Sequence, residues 1–133
     1  MRRALFLLAL AALAACSGDS GTDPNASIAG SYSLRTVNGS PLPYIVAQSG
    51  SNKYEITDDA ISLNDAGTWS ELWHDRTTTN GQVTTSANTD GGTYTRNGTA
   101  ITLNSTTSGA ISGSVSGGTL TLTDQGVAAV YMR

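Results

Sequence analysis

From residue 28 onward the chain predicts an all-β domain, a small eight-stranded antiparallel up-and-down barrel over residues 28–133. Three observations carry that prediction. No stretch after Ile28 repeats its apolar residues at helical spacing. The segment is rich in Thr, Ser, Tyr, Val and Ile, which pack well on a pleated surface. It is also punctuated by Gly and by the pairs Asn80-Gly81, Asn97-Gly98 and Gly117-Gly118, which suit tight turns with positive φ.

The first strand is expected at 30–38, where Tyr32 and Leu34 share a face. Pro41 and Pro43 exclude a central strand, so 39–51 reads as an irregular loop. A second strand at 52–63 carries Tyr54 and Ile56 on one parity and Ile61 and Leu63 on the other. A continuous strand would send one of those pairs into water, so a bulge or bend is expected near 57–60. Asn64-Asp65-Ala66-Gly67 then turns the chain into a third strand at 68–77, with Trp69, Glu71 and Trp73 on one face. The fourth strand, 82–96, carries Tyr94 near its end; the stretch 77–89 is polar throughout, and its outer half reads as an exposed flap. Four more strands follow at 99–105, 109–116, 118–124 and 127–133. Tight turns in chain order imply a meander, which removes its two exposed edges by closing. An open sandwich is the alternative. Gly113, Gly117 and Gly118 would weaken the late strands of a flat sheet, but they suit points where a barrel strand bends sharply.

The N-terminal segment has a separate logic. Arg2 and Arg3 are followed by an apolar run, residues 4–12, too short to span a bilayer stably, and Leu13-Ala14-Ala15-Cys16 closes it. Small residues before a cysteine, directly after a short apolar core, resemble the lipobox of bacterial lipoproteins. The resemblance implies a signal peptide at 1–15, cut before Cys16, with the Cys16 thiol carrying diacylglycerol and the new amino group acylated. Each buried methylene of such an anchor is worth about 0.8 kcal/mol. Residues 17–27 hold no large apolar side chain and read as a flexible tether, so 16–27 is anchor and spacer and 28–133 the folded domain. Ser17 resembles the sorting residue of outer-membrane lipoproteins and implies an outer-membrane anchor facing the periplasm.

Composition narrows the function classes. Cys16 is the sole cysteine, leaving the domain without a disulfide or a thiol ligand. Beyond residue 15 only Arg35, Lys53, Arg76, Arg96 and Arg133 are basic, against ten acids, for a net charge near −5. Scattered cations on an acidic surface exclude nucleic acid and peripheral binding to anionic head groups.

Few residues offer chemistry. Ser70, His74 and Asp75 are the residue types of a nucleophilic triad, but Ser70 and His74 stand roughly 13 Å apart along a strand, and no Gly-x-Ser-x-Gly element accompanies them. Asp58, Asp59 and Asp65 could supply hard oxygen ligands, yet the chain lacks a calcium-loop pattern. One His and no free thiol leave no transition-metal set. Trp69 and Trp73 flank Glu71 on one face. They read first as filler for a core otherwise built of small residues, and second as a ligand-contacting wall with a polar handle. Glu71 sits badly with a dry core, because an unpartnered buried carboxylate is costly, so either the interior is wet or this face points out.

Gly30-Ser31-Tyr32-Ser33-Leu34, Val37-Asn38-Gly39 and Pro41-Leu42-Pro43 resemble the first strand and loop of bacterial lipocalin-like domains. The hairpin from Ile61 to Trp69, the series Gly118 to Thr123, and Val130-Tyr131-Met132-Arg133 are similar to later pieces of that family. The resemblance implies a calycin-like calyx that holds a small apolar ligand or packs its own side chains. It departs from better-known lipocalins in having Tyr32 where they carry Trp, and in having no helix after the last strand. The family's Arg over that aromatic ring matches Arg133.

The expected function is therefore non-catalytic binding of a small apolar molecule or lipid by a monomeric domain without cofactor or metal. Tyr32, Leu34, Tyr54, Ile56, Trp69, Glu71, Trp73 and Tyr94 are the expected wall. The alternative is an envelope interaction module with a solid core.

Overall fold

The computed structural model describes residues 26–133. The expected signal peptide, the expected lipid-bearing Cys16 and the expected tether up to residue 25 lie outside the described residues.

Ten strands follow in order: β1 (Gly30–Val37), β2 (Ser40–Pro41), β3 (Tyr44–Ser49), β4 (Asn52–Leu63), β5 (Thr68–Thr79), β6 (Gln82–Asn97), β7 (Ala100–Ser105), β8 (Ala110–Ser116), β9 (Thr119–Asp124) and β10 (Val127–Met132). β4 through β10 pair antiparallel in chain order, β10 pairs with β1, and β1 closes on β4. Eight strands thus form a closed antiparallel barrel, and the open sandwich is ruled out. β1 meets β4 only over Gly30–Ser33. Beyond that the two strands part, and β2 and β3 each line the free flank of one of them. The expected irregular loop at 39–51 is therefore corrected to two short edge strands. Pro41 is tolerated because an edge strand needs no donor on its solvent side.

The expected bulge is present: the β4–β5 register slips between Ile56 and Asp58. It lets Tyr54 and Ile56 share the inner face with Asp59, Ile61 and Leu63. The polar stretch 77–89 is regular rather than loose, since β5 and β6 pair without a break from Thr68↔Thr93 to Thr79↔Gln82. Yet β6 meets β7 only from Gly92 on, so its first ten residues stand off the barrel wall, and residues 82–87 are all exposed. Both faces of that ribbon meet water, which accounts for its Thr- and Ser-rich composition.

The barrel is packed at one end and open at the other. Gly117 and Gly118 take positive φ in the β8–β9 turn at the packed end rather than bending a strand. There Tyr32 is 1 % exposed and donates its hydroxyl to the Ile28 carbonyl at 2.7 Å. Arg133 lies over the Tyr32 ring, 5.6 Å from its centroid, and donates to the Ala29 carbonyl at 2.8 Å. Gly30 makes room for it: with φ at +146°, a Cβ there would meet the Arg133 Cδ at 2.7 Å. Arg133→Ala should cost about 1 kcal/mol, read as a fall of a few degrees in Tm. Arg133→Lys should restore less than half, because a compact ammonium covers the ring poorly. The chain before the barrel is also held: Ser27 donates to Asp65 and Arg96 to the Ala26 carbonyl, both at 2.7 Å.

Candidate functional site

Toward the other end the barrel encloses a cavity of about 340 Å³. Its wall is mainly apolar, with Ile61, Trp69, Leu103, Ile111 and Leu122 among its residues, and Asp124, Gln125 and Val127 form its rim at the β9–β10 turn. The Trp69 indole has room because its cross-strand neighbour on β6 is Gly92; it donates to the Asn104 carbonyl on β7 at 3.4 Å.

Below that rim the wall also carries Glu71 and Tyr131, and Asp59 adjoins them without being part of the lining. Glu71, on β5, faces inward, opposite Ile61 on β4 and Asp90 on β6. Asp59 comes from β4, two positions along on the same face as Ile61, and is 8 % exposed. The hydroxyl of Tyr131, on β10, donates to Asp59 Oδ2 at 2.7 Å. The Asp59 and Glu71 carboxyls lie within hydrogen-bond reach of each other, which two carboxylates cannot sustain without a proton between them. Burial, then the charge of Asp59, pushes Glu71 up to about 8. Asp59 moves up as well, chiefly through burial, and burial followed by the nearby Asp59 charge raises Tyr131. Both carboxyls are thus biased toward sharing a proton. Asp59 Oδ1 is buried with no partner unless Glu71 supplies that proton.

Asp90 behaves differently. Burial raises it, but donation from Ser105, the Gly91 amide, Thr107 and Ser108 outweighs burial and holds it below the usual carboxylate range. Asp90 is thus an ionised carboxylate that organises the loop between β7 and β8.

Of the eight expected wall residues, Trp69 and Glu71 line the cavity. Tyr32 and Leu34 are spent in the packed core. Tyr94 turns its hydroxyl to the Asn64 carbonyl at 2.6 Å, beside the packed end. Ile56 packs against the margin of the core, and Tyr54, near the start of β4, donates its hydroxyl to Asp75 at 3.3 Å. Trp73, half-buried opposite Asp59, lies outside the cavity wall. Glu71 faces in, and its partner is a second acid, Asp59, which the expected wall omits. The signal was present: once the bulge is set at 57–60, Asp59 shares the parity of Ile61 and Leu63.

The other chemical candidates separate. Asp58 points outward and meets His74 Nδ1 at 2.7 Å, while Asp75 faces in and accepts from Asn88. Ser70 is exposed, so no triad assembles. Asp65 lies in the β4–β5 turn, away from Asp58 and Asp59, and among the described residues no three His, Cys, Asp or Glu side chains converge on a metal position. Comparison of the chain with family models, curated proteins and solved structures finds no match.

Proposed function

We propose that the protein is a lipid-anchored, non-catalytic envelope domain, tethered through Cys16 to the outer membrane, whose lipocalin-like barrel carries a small, largely apolar molecule. The observation that supports this reading is the cavity. At about 340 Å³, with Trp69 in its wall and a solvent-facing rim, it stands at the lower end of the range that small-molecule pockets occupy. A barrel used only as a scaffold would have filled that half with side chains, as it fills the half around Tyr32.

Native mass spectrometry of the chain from Ser17 onward, purified without detergent, tests the reading. Every strand of the barrel lies within residues 26–133, so removing the leader and Cys16 leaves its pairing intact. The expected result is a stoichiometric apolar or amphiphilic adduct that is lost on Trp69→Ala. An unliganded mass that stays unchanged across a panel of lipids and apolar metabolites overturns the carrier reading and moves the function to the outer surface.

A further inference from the structure

We propose that the cavity selects a small monocationic ligand, an ammonium-bearing molecule whose apolar body lies against Trp69 and Leu122 and whose nitrogen sits on the Asp59–Glu71 pair. The inference rests on the carrier reading and names the ligand class of the same site.

One oxygen of the pair, Asp59 Oδ1, is buried without a hydrogen-bond partner. Asp59 is nine-tenths buried, and its Oδ1 accepts nothing unless Glu71 carries the proton or a ligand brings a donor. Among the described residues the pair has no counter-charge, and no Lys, Arg or His lines the cavity. Lys53 and Arg76 lie across the β4–β5 wall and are committed to Glu55, at 3.0 and 2.9 Å. Arg133 is at the packed end over Tyr32. The groups that face the pair are Asp90 from β6, Tyr131 from β10 and, at the mouth, Asp124 from β9. All are acidic or neutral. Asp58 lies on the opposite face with His74.

A buried negative charge in an apolar chamber is expensive unless paired and hydrogen-bonded. An ammonium meets both needs at once. It offers up to three donors to the carboxyl oxygens and brings the positive charge that the groups around the pair do not supply. An anionic ligand such as a fatty acid would meet repulsion from the pair, from Asp90 and from the Asp124 rim. A neutral apolar ligand would fill the space and leave the charge unpaired.

Titration calorimetry at pH 7.5 with octylamine, octanol and octanoate isolates the charge at constant apolar length. Octylamine should bind at least about tenfold tighter than octanol, with no measurable heat from octanoate. In the isosteric double variant Asp59→Asn/Glu71→Gln, octylamine should fall to the affinity of octanol, and octanol should be unchanged. Octanol or octanoate binding as tightly as octylamine overturns the inference and leaves the carrier reading standing. Heat from none of the three overturns both.

Discussion

Replacing Gly113 with Ala is expected to destabilise the barrel by about 3 kcal/mol, a fall in Tm of roughly 15 °C for a domain of this size. Gly113 is on the inner face of β8, opposite Ile101 on one side and Leu122 on the other. A Cβ there would overlap the Thr121 carbonyl oxygen and stand 2.9 Å from Leu122 Cδ2 and 3.1 Å from Leu122 Cα. Two of those three atoms are backbone, so relief requires β9 to move, and β9 is held on its far side by all six pairs with β10. Gly92 is equally constrained, with the Asn104 carbonyl in the way and the Ser105 Cα at 3.4 Å. Ser114→Ala is the control: the neighbouring residue on the same strand is exposed, and its loss should leave Tm nearly unchanged. Thermal unfolding followed by circular dichroism reads all three. A Gly113→Ala protein that melts with the control would show that the close strand approach is not what the glycine secures.

Local chemistry made much of this fold legible. Paired glycines and Asn-Gly steps mark the turns because few residues accept positive φ, and the parity change in β4 marks the bulge because side chains alternate strictly along a strand. The two prolines misled. They exclude pairing on one side only, and β2 uses the side that remains, which no local pattern reveals. The wall is less legible in the sequence than the barrel, for a physical reason. Aromatic residues on an inward parity identify a face but not a depth, and depth decides whether a side chain fills the core, as Tyr32 does, or borders the cavity, as Trp69 does. Depth depends on how far adjacent strands are staggered. The pairing of Asp59 with Glu71 and Tyr131 joins three strands, including one from the far end of the chain, so it becomes visible only after closure.

Glu71→Gln should make the barrel more stable at alkaline pH and leave it unchanged in acid. In the folded protein Glu71 is raised from the ordinary 4.5 to about 8, through burial first and the charge of Asp59 second. Between those values the folded state holds a proton that the unfolded chain has released, so stability falls with rising pH through that window and levels off above it. The stabilisation associated with the protonated form is complete below pH 4.5 and lost by about pH 8. The full shift sets a ceiling on the order of 5 kcal/mol. Partial exposure of Glu71 and the proton it shares with Asp59 reduce that to about 2 kcal/mol, or on the order of 10 °C in Tm. Gln carries no charge at any of these pH values and can donate its amide to the Asp59 oxygen that lacks a partner. The variant minus wild-type difference in Tm should therefore be near zero at pH 4.5 and positive at pH 8.5. A difference that does not change with pH would mean that Glu71 is ionised in the fold throughout, and that the cavity holds two negative charges rather than a shared proton.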